Sequence, residues 1–353
     1  MSEFTPDWTD NVVEIPSPPG LPELFHEFDE ESILAIRAAL GAKRPLLVRG
    51  EPGVGKTQLA VAAAQKLRRP LVTKVVDSRT ESRELLWDYD AVLRLADAQI
   101  AAALRNNNES TDDDRSSDKN LFSEFEQIRK QLSVDNYVSP GPLWWAFDWN
   151  NARDQALKCG AVLPPFVDNE NSSQKKGENK VNPDNGFVVL IDEVDKAETD
   201  VPNGLLEALG SGQFQPQGMT EPVTVSGPTP LVIITTNEER VLPDAFLRRC
   251  LILALKLPKA DDDLEQYLVH RAKIHFPKSK KSDVEVFKLA AQLLINDRQA
   301  AINQNATAIP GQAEFLDLIR AIRDLYPNET ELQKEELYNV ARYTFKKYED
   351  HIR

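Results

Sequence analysis

The chain has little of what would place it in an oxidising compartment or a membrane. Among its 353 residues only Cys159 and Cys250 carry a thiol, too few for a disulfide framework or a cysteine zinc site. Histidine is nearly as scarce, and His270, His275 and His351 have no partners at metal-ligand spacing. Long apolar runs are missing too. Phe187 to Ile191 and Leu231 to Ile234 fall far below the ~18 residues of a membrane span. The opening MSEFTPDWTD is acidic where a secretory signal would be basic and then apolar. These absences predict a cytoplasmic chain with no membrane, redox or structural-metal role. Basic residues are in deficit, 42 Lys and Arg against 56 Asp and Glu, giving a formal charge of −14. A general nucleic-acid binder carries the opposite balance, so only a local basic groove stays open.

Residues 1–20, with Pro6, Pro16, Pro18 and Pro19 and the run into Pro22, read as an extended tail. From Asp29, a plausible N-cap, apolar residues recur at helical spacing up to Gly41. Pro45 to Arg49 then reads as a buried strand, Lys56 to Leu67 as a helix and Leu71 to Val76 as another strand. This alternation predicts an α/β domain with a parallel sheet flanked by helices over residues 21–258. Arg105 to Asn120 and Asp168 to Asn185 hold almost nothing able to enter a core, and both are expected to be solvated loops, dispensable for folding. Between them lie a helical run, Phe122 to Leu132, and the aromatic cluster Trp144, Trp145, Phe147 and Trp149, which suits either packing or a partner surface. After Pro258 come four charged amphipathic helices, Asp261 to Ala272, Ser282 to Leu294, Gln312 to Leu325 and Glu331 to Tyr348. They predict an all-helical C-terminal domain over residues 259–353.

The most informative segment is Gly50-Glu51-Pro52-Gly53-Val54-Gly55-Lys56-Thr57, followed by Gln58. It fits G-x-x-x-x-G-K-[ST] between a strand and a helix, the context that a phosphate loop requires. Glycines let backbone N–H groups turn inward around a β-phosphate, Lys56 reaches the β- and γ-phosphates, and the Thr57 hydroxyl suits Mg²⁺. The second half of the site is the strand Phe187 to Ile191 running into Asp192 and Glu193. Buried parallel strands deliver their last residues to the ligand-binding edge of such sheets. Asp192 is the expected metal carboxylate and Glu193 the general base. A third buried strand, Leu231 to Thr236, ends in Asn237, whose amide could orient the attacking water or simply cap a turn. Guanine recognition normally uses N-K-x-D, and Asn179 to Asn182 lacks the aspartate. ATP is therefore the expected nucleotide.

GEPGVGKT, LIDEVDKAETDVPNGLLEALGSGQF and IITTNEERVLPDAFLRRC together resemble the AAA+ ATPases, and within them the MoxR-like branch of the helix-2-insert group. The resemblance covers most of Leu21 to Leu257. By it, Tyr137 to Leu143 looks like the family's insert, and Trp87 to Gln99 like the first part of the split helix. It also implies that the nucleotide lies between subunits of a homo-oligomeric ring and that an arginine after the sensor strand reaches the neighbour's site. Arg249 is the first candidate for this finger and Arg248 the second, although both would also suit surface ion pairs. Cys250 beside them reads as packing. One departure stands out: the second sensor arginine of such proteins is missing from Ile309 to Glu314, where Gln312 is either a weaker substitute or none. The resemblance implies a chaperone-like remodeller of a protein substrate or adaptor, with a von Willebrand factor A domain as one form of partner. A nucleic-acid motor and a low-turnover ATP-dependent switch are the alternatives.

Overall fold

The computed structural model describes residues 6–15, 23–108, 126–165, 181–198, 200–306 and 308–345. It opens on a hairpin, which corrects the expectation of an extended tail. Strand β1 (Val12–Ile15) pairs antiparallel with β2 (Leu24–Glu27), Val13 lying opposite His26. Val12, Val13 and Ile15 are β-branched, and Ile15 and Phe28 are buried, with the Trp8 ring edge-on to Phe28 at 5.3 Å. Proline content signalled a break in the chain but gave no sign of the partner strand, which lies beyond the break. The prolines at 16, 18, 19 and 22 fall outside the described residues.

Helix α1 (Glu30–Ala42) starts where Asp29 accepts a hydrogen bond from the Ser32 N–H at 2.7 Å. It runs just past Gly41, and Lys43 takes the left-handed capping conformation with φ 52°. There follow β3 (Leu46–Arg49), α2 (Lys56–Leu67) and β4 (Leu71–Val75). The chain then leaves the sheet for β5 (Trp87–Tyr89), α3 (Ala91–Asn108), β6 (Val138–Pro140), α4 (Pro142–Phe147) and α5 (Trp149–Cys159). It returns through β7 (Val188–Asp192), α6 (Asp200–Ser211), a small hairpin of β8 (Gln213–Phe214) and β9 (Val223–Thr224), then β10 (Leu231–Thr236), α7 (Asp244–Leu247) and β11 (Leu251–Ala254). Five strands form one parallel sheet in the order β11-β3-β10-β7-β4. β10 lies at its centre with every residue buried, as a strand covered on both faces requires.

Trp87 to Tyr89 is the second correction. These residues pair antiparallel with Val138 to Pro140 and are not helical. The helix begins only after Asp90, whose carboxylate accepts from the Leu93 N–H at 2.7 Å. Residues 105–108 continue α3, so the first expected loop starts later than its composition suggested; 109–120 lie outside the described residues. Of the helical run expected from Phe122, residues 126–131 are helical and 122–125 are not described. In the second expected loop, 168–180 are not described. Its end is pinned: the Asn182 N–H and the Asn185 amide both donate to the Arg68 carbonyl, at 3.0 and 3.1 Å.

The aromatic cluster is core. Trp144, Trp145 and Phe147 are buried, and Trp144 Nε1 donates to Asn151 Oδ1 at 2.8 Å. Phe214 is the hub, stacked on Trp87 and touched by Trp144 and Phe147. A partner surface built on Trp144 and Trp145 is therefore excluded, because an anchor must be reachable before binding.

Four C-terminal helices, α8 (Asp261–His275), α9 (Asp283–Asn303), α10 (Gln312–Leu325) and α11 (Thr330–Thr344), enclose a separate apolar cluster around Phe287 and Phe315. α9 extends past Leu294 because Ile295, Arg298 and Ala301 continue its buried stripe. α11 is described to Thr344; residues 346–353 lie outside the described set. The bundle is tied to the hairpin where Arg271 donates to the Glu27 backbone carbonyl at 3.2 Å.

Two expectations follow. Trp144→Ala should cost about 3–5 kcal/mol in denaturant unfolding, the range for emptying a buried aromatic site. At the hairpin–bundle junction, burial first and then the Arg271 charge hold His26 to about 3 and His275 to about 4, both from 6.5. The unfolded chain binds those protons below about 6.5 and the fold does not. Stability should therefore be complete above that pH and fall as pH drops toward 4. His275→Phe should flatten the slope of a pH series of thermal unfolding.

Candidate functional site

β3 runs straight into the phosphate-loop sequence, and the first turn demands glycine. Gly50 has φ 153°, and a Cβ there would sit 2.3 Å from the Leu255 carbonyl oxygen. The loop closes at Gly55, where α2 begins with Lys56. Lys56 is buried, and its Nζ donates to the Gly50 and Glu51 carbonyls at 2.7 and 2.9 Å. Burial pushes its pKa down, opposed first by the charge of Asp192. A third N–H of the ammonium is left for a ligand. Pro52, Gly53, Gly55 and Gln58 help to line a cavity of about 290 Å³ in front of this lysine, and Val54 is buried.

The carboxylates from β7 arrive at the same cavity. Thr57 Oγ1 lies 3.0 and 3.2 Å from the two Asp192 oxygens. A hydroxyl and a carboxylate converging in this way fit a hard, oxygen-seeking cation such as Mg²⁺, with phosphate and water completing its shell. No cluster of three or more His, Cys, Asp or Glu residues able to hold a metal occurs among the described residues. Glu193 is left-handed at φ 60°, a strained setting often found at functional positions. Its Oε1 accepts from Asn237 Nδ2 at 3.2 Å, and its Oε2 pairs with Lys196 Nζ at 2.6 Å. The structure thus brings Lys56, Thr57, Asp192, Glu193 and Asn237 to one cavity.

Several residues that organise this site carry no sequence signal. Thr235, on the strand beside β7, donates to Asp192 and accepts from the Glu193 N–H at 2.9 Å. A strand threonine is ordinary, and only the register reveals its role. Asp195, 2% exposed, accepts from the backbone N–H groups of Asn237 and Glu239 at 3.4 and 2.9 Å, and so holds the loop after β10. Lys196 belongs with Glu193, as described. From the bundle, Gln312, Ala313 and Leu316 line the cavity, and Gln312 accepts from the Tyr267 hydroxyl at 2.7 Å. A further cavity of about 290 Å³ includes Glu27, Asp29, Val54, Tyr267 and Arg271 in its lining, between the start of α1 and α8.

Arg248 and Arg249 stand apart from this cavity. Both are exposed, on a turn between buried Phe246 and buried Cys250. Arg44 clamps the turn from behind, donating to the Arg248, Arg249 and Cys250 carbonyls. Burial pushes the Cys250 thiol up to about 12, in keeping with a packing residue.

The AAA domain (dynein-related subfamily) matches residues 45–250. That span exceeds half of the chain, and the chain belongs to this family. The five-stranded parallel sheet with flanking helices and a C-terminal helical region is the AAA+ fold, and membership supports ATP binding and hydrolysis. A comparison with curated proteins finds no match. Among solved structures, C. elegans PCH-2 is similar at 13% identity and a TM-score of 0.37; the match covers 89% of this chain and 65% of that one. No helix among the described residues is long and apolar enough to cross a membrane.

Thr235→Val would remove the hydroxyl that orients Asp192 while keeping the strand's volume. Magnesium titrations of nucleotide binding should show a half-saturating concentration raised about tenfold, as expected for loss of a hydrogen bond to a charged group.

Proposed function

We propose that the chain is a Mg²⁺-dependent ATPase of the MoxR-like branch, acting as an oligomeric, chaperone-like remodeller of a protein partner. The observation that carries the reading is the convergence of Lys56, Thr57, Asp192, Glu193 and Asn237 on one cavity at the C-terminal edge of the sheet. Lys56 receives the β- and γ-phosphates. Thr57 and Asp192 hold Mg²⁺, which supplies positive charge to the phosphate oxygens when bound. Glu193 accepts a proton from the attacking water, and the Asn237 amide fixes the carboxylate that does so. The base of the nucleotide takes the neighbouring cavity, between the Val54 side chain and the Tyr267 ring.

In a ring, Arg249, with Arg248 as the alternative, stabilises charge on the neighbour's γ-phosphoryl group. Both guanidiniums face outward and form no ion pair among the described residues, which supports a target on another molecule. A partner carrying a von Willebrand factor A domain is the resemblance's contribution, whereas a cytoplasmic site of action rests on the two cysteines, the short apolar runs and the acidic opening. The net charge of −14 disfavours a nucleic-acid substrate.

A low-turnover switch is the second reading. It is favoured by Gln312, which lines the phosphate cavity where an arginine would be expected, and by the Lys196 ion pair that occupies one Glu193 oxygen.

The decisive experiment is phosphate release from MgATP with and without chelator. Glu193→Gln should bind ATP while turnover falls by about two orders of magnitude or more, the scale for removing a general base. Retained turnover would reassign the base. Arg249→Ala should lose hydrolysis with ATP affinity kept, and mixing it with Lys56→Ala subunits should restore part of the activity. Hydrolysis by a monomer, independent of concentration, would overturn the shared site.

A further inference from the structure

Gln312 leaves the helical bundle without a guanidinium on the phosphate cavity among the described residues. The bundle nevertheless reaches the phosphate loop by another route. Arg298, in the middle of α9, is 9% exposed. Its Nη2 lies 2.9 Å from Glu51 Oε2, and its Nη1 donates to the Pro310 carbonyl at 2.6 Å. Glu51 is the second residue of the phosphate loop, and its backbone carbonyl accepts from Lys56 Nζ. Pro310 stands immediately before Gly311 and α10, the helix that brings Gln312 and Ala313 to the cavity.

We infer that Arg298 is a positioning residue that couples the helical bundle to the phosphate loop through Glu51. The inference rests on the ATPase reading and deepens it. One planar guanidinium holds two elements: the loop that cradles phosphate and the start of the helix that closes over it. α10 cannot move away from the loop without breaking one of these bonds or dragging Glu51, whose carbonyl steadies Lys56. The loop and the helix also approach closely at this junction, where a Cβ on Gly53 would lie 3.1 Å from Ala313 Cβ.

Burial decides why this pair differs from an ordinary surface ion pair. The Glu51 side chain is half exposed, whereas the Arg298 side chain is 11% exposed. Separation would return Glu51 to water but leave the cation enclosed with the Pro310 carbonyl as its one remaining hydrogen-bond partner among the described residues, which is costly. The docked arrangement is therefore favoured by the bond. Both cavities assigned to the nucleotide have the loop on one side and the bundle on the other. Whatever favours docking raises apparent nucleotide affinity by the same factor.

The test compares steady-state MgATP hydrolysis by the full chain, Arg298→Gln, Glu51→Gln, the double variant and Arg298→Lys. KM should rise about tenfold in each glutamine variant while kcat stays within about threefold, the pattern of lost binding without lost chemistry. The double variant should be no worse than the larger single effect, because both substitutions remove the same bond. Arg298→Lys should recover part of the affinity, since it keeps the charge without the fork. Should Arg298→Gln fail to fold, Glu51→Gln carries the test, its side chain being half exposed. A KM within about twofold of wild type in Glu51→Gln, or additive effects in the double variant, overturns the coupling. Absence of turnover in the wild type would instead sink the ATPase reading. The same variants are then compared by the Kd of a fluorescent ATP analogue, with the same about tenfold rise expected and the same results overturning the coupling.

Discussion

The functional edge of this molecule depends on the parallel register of three central strands. Ile234 of β10 lies opposite Ile191 of β7, and Thr236 lies opposite Arg49 of β3. That alignment sets Thr235 beside Asp192 and Glu193, and it starts the phosphate loop level with Asn237. A slip of one residue would turn Thr235 to the other face and bring a neighbouring side chain against Asp192. The register is fixed by burial on both faces, because Leu190, Ile191, Ile233 and Ile234 each fill one of two opposite apolar layers. The chemistry of the site is thus held in place by residues that take no part in it.

This explains what could be read from the sequence. The phosphate loop was legible because its geometry is local: glycines, a lysine and a hydroxyl within eight consecutive positions specify a turn whatever the rest of the chain does. The ends of β7 and β10 were legible because continuous apolar runs stop at polar residues. Thr235, 43 residues from Asp192, and Arg298, 247 residues from Glu51, were not, since each acts through a contact that only folding creates. The N-terminal hairpin and β5 were missed for a related reason. A three- or four-residue strand is defined by its partner, and Val12 to Ile15 and Trp87 to Tyr89 have theirs beyond a proline-rich break or an entire helix. Tryptophans 144 and 145 posed a different difficulty. Aromatic side chains suit both cores and interfaces, and Phe214, which decides between the two by packing against this cluster, is distant in sequence.

Two apolar clusters share the sheet, and a third belongs to the C-terminal helices. Polar links join the helices to the rest, Arg271 to Glu27 and Arg298 to Glu51. Such joints differ from apolar packing in one respect. A hydrogen-bonded pair whose carboxylate is exposed can exchange protein for water, whereas separating packed apolar surface exposes it to a cost proportional to its area. Releasing Glu51 from Arg298 would leave each cluster intact but enclose an unpaired cation, so this joint holds the helices against the loop.

The turn carrying Arg248 and Arg249 follows the same economy of rigid support around an exposed group. Phe246 and Cys250, four positions apart, are buried, and Leu251 enters the sheet by donating its N–H to the Pro45 carbonyl at 2.9 Å. Arg44, from the loop between α1 and β3, donates to the Arg248, Arg249 and Cys250 carbonyls and so ties the turn to the start of the sheet. With the backbone fixed on both sides, the two guanidiniums are left as the variable part, directed away from their own core. Both arginines are exposed, so water solvates them and the chain's acidic excess eases their mutual repulsion. The target proposed for them, a phosphate held in the site of an adjacent copy, would make hydrolysis a property of the assembly and not of the single chain.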